Sequence, residues 1–217
     1  RLVEGEWGNT FPGLPVIRQF SRRTHVRKGL KYRDGATLYR FWDFGYRRPG
    51  CLWAQFRKDG HVQILREFMG KNIAGEQFVQ QVLAQTSEHF PTVQSFIDVG
   101  DPAVKQQKDT GSMLAILYNA GVQLRTLRTP LDVSLDVLRK RFEMMTNGDP
   151  AILIDESCRV LADALSGGYH MDENGIKPIK DNEYDHLVDC LRYGIWAHFG
   201  VSSTAATTRV LTSIRYR

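Results

Sequence analysis

Leu38-Tyr39-Arg40-Phe41-Trp42-Asp43-Phe44-Gly45 is the stretch on which the fold turns. Its aromatic residues are strand formers, and the run gives way to the turn residues Gly45 and Pro49. Two further strand-like runs follow, Cys51 to Phe56 and His61 to Phe68, with Lys58-Asp59-Gly60 between them. An Asp-Gly pair favours a tight hairpin. Three consecutive strands, the first with an acid near its end, are the organising feature.

Downstream the period changes. Ile73, Phe78, Val79, Val82 and Leu83 recur at helical steps, with Asn72 placed to cap and Pro91 beyond the end. Val93 to Asp98 reads as a short strand running into Asp98-Val99-Gly100-Asp101-Pro102. A helix from about Ser112 to Asn119, a strand from Val122 to Leu127 and a helix from about Leu131 to Met145 come next, the last preceded by Thr129-Pro130 as cap and first-turn proline. Ala151 to Asp155 is a strand, Ser157 to Leu165 a helix with Asp155 as its cap, and Glu183 to Phe199 the last helix after a Gly/Asp/Lys-rich loop at 170–182. The order βββ-α-β-α-β-α-β-α-α predicts an α/β fold, a mixed sheet flanked by helices. Residues 1–36, rich in Gly, Pro and Arg, read as a linker, residues 37–200 as the domain, and the Ser/Thr-rich residues 201–217 as a flexible tail.

Composition narrows the function. The chain of 217 residues is 42% apolar and 24% charged, the balance of a globular protein rather than a disordered one. It has no run of about 18 apolar residues, so no membrane span is expected. It opens Arg1-Leu2-Val3-Glu4 and reads as a piece of a longer polypeptide. Cys51, Cys158 and Cys190 are an odd number with no CxxC pair, against a disulfide framework or a zinc site. Residues 1–50 hold eleven Lys/Arg against four Asp/Glu, a balance of +7, so residues 51–217 carry −2 of the net +5. A polyanion touching a chain that keeps acids elsewhere fits this asymmetry. No phosphate-loop motif GxxxxGK[ST] occurs.

Three acidic positions carry the chemistry. Asp43 and Asp98 each close a strand, and strand ends on one rim are where α/β sheets place their sites. Asp185 and Asp189, four apart, share one helix face with His186 beside them. Like charges at that spacing repel unless a cation joins them. An oxygen-rich set with at most one imidazole suits Mg²⁺ or Mn²⁺, and two such ions form the clamp used for phosphodiester hydrolysis. Arg47, Arg48 and Lys58 are candidates to track a DNA backbone, and Lys105 to approach the scissile phosphate. His25, His61, His89, His170 and His198 lack partners at ligand spacing, and Trp42 and Trp53 read as core.

Trp42-Asp43-Phe44-Gly45-Tyr46, Ile97-Asp98-Val99-Gly100-Asp101-Pro102 and Asp185-His186-Leu187-Val188-Asp189-Cys190-Leu191-Arg192-Tyr193 together resemble the C-terminal nuclease domain of the tailed-bacteriophage terminase large subunit. Gly5-Glu6-Trp7 and Gly13 resemble the end of that family's ATPase domain. The resemblance implies a ribonuclease H-like fold and a metal-dependent endonuclease that cuts double-stranded viral DNA concatemers during genome packaging. On it, Asp43 and Asp98 match the first two metal-binding acids, Asp185 or Asp189 the third, His186 an auxiliary group and Asp101 a supporting one. It further implies portal protein and small terminase subunit as partners, a ring in the full motor with the isolated fragment monomeric, and the cytoplasm of an infected bacterial host as location. The alternatives are another ribonuclease H-like nuclease, of resolvase or transposase type, or a non-catalytic DNA- or portal-binding module.

Overall fold

In a computed structural model of the protein, residues 13–45, 47–106, 112–180 and 184–200 are the described part of the chain. A one-turn helix α1 (Arg22–His25) leads into β1 (Val26–Arg27), and then come the three long strands β2 (Leu38–Asp43), β3 (Gly50–Phe56) and β4 (Val62–Met69). Helix α2 (Gly75–His89) and β5 (Phe96–Gly100) follow, then the short 3-10 turn Pro102–Gln106, α3 (Met113–Asn119) and β6 (Leu124–Arg125). Helix α4 (Leu131–Glu143) ends in a small hairpin, β7 (Met145–Thr146) and β8 (Asp149–Pro150), before β9 (Ile152–Asp155). The last helices are α5 (Arg159–Asp163) and α6 (Asp185–Ile195), each running on into a π turn.

Seven strands form one mixed sheet in the order β1-β9-β4-β3-β2-β5-β6. The predicted three-strand meander is its centre: β2, β3 and β4 pair antiparallel, and β5 and β6 then add in parallel beside β2. Successive strand residues face opposite sides, and here both sides are covered. Trp42, Cys51 and Trp53 pack with Phe78 and Val82 of α2 and Leu117 of α3. Phe41, Leu52 and Ala54 pack with Leu138 of α4, Leu161 of α5 and Leu187 and Leu191 of α6. Double coverage explains why β2 and β3 read as near-continuous apolar runs rather than as alternating ones.

Helix α6 lies unusually close to the sheet, and glycine permits it. A Cβ on Gly194 would fall 2.4 Å from the Phe41 ring, and one on Gly50 would fall 3.0 Å from Leu187 Cδ2. Every residue of α6 is buried, including Asp185, His186, Asp189 and Arg192.

Three expectations change. Residues 13–36 are not a linker: Val16 and Ile17 are 2% exposed, β1 pairs in parallel with β9, and the Leu30 N–H donates to Asp155 at 2.7 Å. Their apolar residues are too sparse for any period to show, and only tertiary partners give them a place. Helix α2 starts at Gly75, not after Asn72, which takes a left-handed backbone (φ 48°) while its N–H donates to the Arg47 carbonyl. Asp155 accepts the Ser157 N–H and hydroxyl, at 3.0 and 2.7 Å. Helix α5 starts only at Arg159, with Cys158 at its N-cap, so Asp155 closes the turn before the helix and does not cap it. Residues 1–12 of the expected linker and ATPase-domain end, and the expected tail at 201–217, lie outside the described residues.

Candidate active site

Register decides which acids meet. Parallel pairing of β2 with β5 sets Arg40 beside Asp98, Phe41 beside Val99 and Trp42 beside Gly100. Asp98 therefore shares the face of Arg40 and Trp42. Arg40 grips it in a bidentate pair, Nε to Oδ1 at 2.7 Å and Nη2 to Oδ2 at 2.8 Å, and the Trp42 indole adds a third bond at 2.7 Å. This is the α2/α3 side of the sheet, the side away from α6. Asp98, read from the sequence as the second metal-binding acid, is thus a neutralised core residue that the structure does not bring to Asp43.

One step beyond Trp42 and Gly100 on the same pairing, Asp43 stands beside Asp101. The Asp101 N–H donates to the Trp42 carbonyl at 3.3 Å, and its carboxylate accepts the Ala103 N–H at 2.8 Å. Asp43 closes β2 opposite Gly50 and is 6% exposed. Its Oδ2 lies 2.5 Å from His186 Nδ1 of α6. Asp189 is 2% exposed and engages both its oxygens. Arg192 Nε donates to Oδ1 at 2.9 Å, and Lys180 Nζ donates to Oδ2 at 2.6 Å. Among the described residues, the Asp185 Oδ1 and His186 Nε2 atoms are buried with no hydrogen-bond partner.

The electrostatics bind these residues into one group. Burial pushes the Asp43 carboxyl up to about 6; the His186 hydrogen bond opposes the rise, and the charges of Asp189 and Asp101 add to it. Burial alone would lower His186, but its hydrogen bond to Asp43 and the charges of Asp43, Asp185 and Asp189 hold it above its ordinary value. Asp43 and His186 therefore titrate as a pair. Asp185 is raised by burial, with Asp189 adding to the rise against the pull of His186. The Tyr193 phenol is pushed well up by burial and then by Asp189, Asp43 and, less strongly, Asp101. Four carboxylates thus share one corner between the ends of β2 and β5 and the start of α6.

Their chemistry fits a divalent cation: hard oxygen donors with one imidazole, and a buried carboxylate oxygen lacking any donor. Among the described residues no three such side chains already stand at coordination spacing, since His186, Lys180 and Arg192 occupy the oxygens of Asp43 and Asp189. Clefts open on either side of Asp101. One of about 260 Å³ is lined by Phe44, Gly45, Ile73 and Val104, and a shallower one of about 500 Å³ by Pro102, Thr126, Arg128 and Thr129.

Of the basic candidates, Arg47 and Arg48 follow Asp43 directly, Arg47 exposed and Arg48 half-buried with Nη1 near Met69 Sδ. Lys58 sits past the far end of β3, roughly 20 Å along the strand from Gly50 at about 3.3 Å per residue; the structure does not bring it to the acids. The Lys105 side chain lies outside what is described. Sequence reasoning gave Asp101 only a supporting place, quoted Arg192 in the helix motif without a role, and missed Lys180.

The central strand order β4-β3-β2-β5-β6, three antiparallel strands and then two parallel ones, defines a ribonuclease H-like sheet. No protein-family model and no curated protein matches the sequence. Among solved structures, the large terminase of the thermophilic bacteriophage D6E superposes with a TM-score of 0.69 at 15% identity, over 85% of this chain and 44% of that one. The large-terminase nuclease domain from bacteriophage SPP1, solved with bound Mn, gives 0.55 at 15% identity, over 85% of this chain and 98% of that one. The large-terminase nuclease from the thermophilic phage G20c gives 0.57 at 15% identity with the same coverages, 85% and 98%. The chain has the fold of the large-terminase nuclease domain, and it spans about 44% of the length of the D6E protein.

Proposed function

We propose that this chain is a Mg²⁺- or Mn²⁺-dependent DNA endonuclease that cuts double-stranded viral DNA concatemers during phage genome packaging. The observation that carries the reading is the corner itself. Asp43, Asp185 and Asp189 are buried beside Asp101, and burial with mutual repulsion lifts the Asp43 carboxyl to about 6. Buried anions are costly unless a cation answers them. The shared fold supports the same reading.

Asp43, Asp101 and Asp189 would hold the ions, with Asp185 and His186 completing the set. Two bound ions would supply activation of water and charge neutralisation at the leaving 3′ oxygen. The chain's own groups do the rest. His186 Nδ1 holds the proton it shares with Asp43 Oδ2, fixing that carboxylate's orientation. Arg192, tied to Ser134 Oγ at 2.9 Å, fixes Asp189. Arg47 and Arg48, next to Asp43, would meet DNA phosphates, giving weak sequence preference and strong salt sensitivity. By the same reading the DNA-bound chain works with portal protein and small terminase subunit in a motor ring, in the cytoplasm of an infected bacterium. No helix among the described residues is long and apolar enough to cross a membrane.

The test is cleavage of supercoiled plasmid with Mn²⁺ or Mg²⁺ against an EDTA control. D43N and D101N should abolish cutting while retaining the fold; a D43N protein that still cuts with added Mn²⁺ overturns the reading. Cleavage of four-way junctions in preference to linear duplex would favour a resolvase, and absence of any cleavage a DNA- or portal-binding module.

A further inference from the structure

Asp189 holds two cations, and holds them differently. Arg192 is 4% exposed, donates to Oδ1 and to Ser134 Oγ, and lies 4.5 Å from the Tyr193 ring centroid. Ser134 in turn donates to the Pro130 carbonyl at 2.6 Å, so this guanidinium is built into the packing of α4 against α6. Lys180 takes the other oxygen, Oδ2, at 2.6 Å, but its side chain is 49% exposed. It stands on no helix or strand. The preceding loop is braced on itself: Asp172 accepts the Ile176 N–H at 2.7 Å, and the Ile179 N–H closes onto the His170 carbonyl at 2.9 Å. Lys180 follows the last of these bonds.

Displacing Arg192 would break a buried network and strand a charge, whereas a half-exposed lysine gives up little on leaving. A lysine ammonium is also a compact point charge on a flexible stem, with no fixed fork to dismantle. Oδ2 is therefore the exchangeable oxygen of Asp189 and Oδ1 the fixed one. On the same helix, the Oδ1 of Asp185 is buried with no hydrogen-bond partner among the described residues even with Lys180 in place.

We propose that Lys180 is a removable counter-ion: its ammonium occupies Asp189 Oδ2 in the metal-free protein and must leave before a divalent cation can use that oxygen. This rests on the metal-dependent reading above. A placeholder of this kind holds the acid corner together without metal and sets the ion concentration at which the site loads. Coupling is reciprocal, so loading with metal also frees the loop that carries Lys180.

Calorimetric titration of Mn²⁺ into the DNA-free chain tests it, comparing wild type with K180M, K180R and D43N. K180M is expected to bind Mn²⁺ about two- to fivefold more tightly than wild type, the range an exposed competing ion pair commands. K180R, which keeps the charge, should stay near or below wild type, and D43N should lose binding. K180Q makes the same comparison if K180M fails to fold. Equal or weaker binding by K180M and K180Q overturns the counter-ion; if D43N still loses binding, the metal reading survives that failure. No Mn²⁺ uptake by wild type, K180M or K180Q overturns both.

Discussion

Asp98 and Asp43 are buried carboxylates on neighbouring strands of one sheet, and they do opposite things. Asp98 has a bidentate guanidinium and an indole N–H, three short bonds that answer both its oxygens. Asp43 has one imidazole, and like charges on Asp101 and Asp189 press on it. The first is a finished structural unit; the second has a single partner, with like charges pressing on it. Burial of an acid does not by itself mark chemistry. The supply of counter-charge around it does.

Breaking the open side should cost most in activity. D43N and D101N are each expected to lower plasmid cleavage about a thousandfold or more, because the charge opposed to the ions is lost while the shape is kept; melting curves should show an unimpaired fold. On the closed side the effect should move to stability. D98N leaves Arg40 buried without its anion and should cost about 3–5 kcal/mol in urea unfolding. Replacing both partners, as R40M with D98L, should recover most of that loss, and any D98N protein that remains folded should still cut. A D98N variant that keeps full stability yet loses cleavage would reverse the assignment of the two acids.

The pH dependence sharpens the contrast. Asp43 in the folded chain sits at about 6 against an ordinary 3.8, so the folded state holds this proton more tightly and metal-free stability falls as pH climbs between those values. His186 is also raised; its contribution is intact below 6.5 and is lost as pH rises through its folded value. Both slopes have one sign. With EDTA, wild type should lose up to about 3 kcal/mol between pH 4 and pH 7 relative to D43N. With Mn²⁺ the slope should reverse, since a ligand carboxylate must be ionised. The smallest effect is expected at Lys58, where K58A should change cleavage less than about twofold, a surface charge remote from the corner.

The meander around Asp43, the alternation of helix and strand after it and the acid-bearing last helix were all legible in the sequence, because periodicity and turn chemistry are local signals. Asp43, Asp185, His186 and Asp189, which the structure brings together, were among the residues so read. That Asp101 and not Asp98 stands beside Asp43 was not legible. Which residue at the end of β5 meets Asp43 depends on the register between β2 and β5, strands with β3, β4 and α2 between them in the chain, and a slip of one residue turns a side chain to the other face. Arg40 held the missing clue, as a basic residue in an otherwise apolar strand that needs a buried anion opposite it. Lys180 gave no clue at all, since a loop lysine acquires meaning only from what it touches. Val16 and Ile17 were hidden similarly, by a neighbourhood of Gly, Pro and Arg that reads as linker until the chain folds back.

That fold-back ties two distant parts of the chain mechanically. Pro15 bridges to His170, the Val16 N–H donates to the Tyr169 carbonyl at 3.1 Å, and the Met171 N–H donates to the Leu14 carbonyl at 2.8 Å. The segment at 14–16 is therefore stitched, rung by rung, to the root of the loop whose far end carries Lys180. Tension applied at Leu14 would be felt first at that root, nine residues before the ammonium that reaches Asp189.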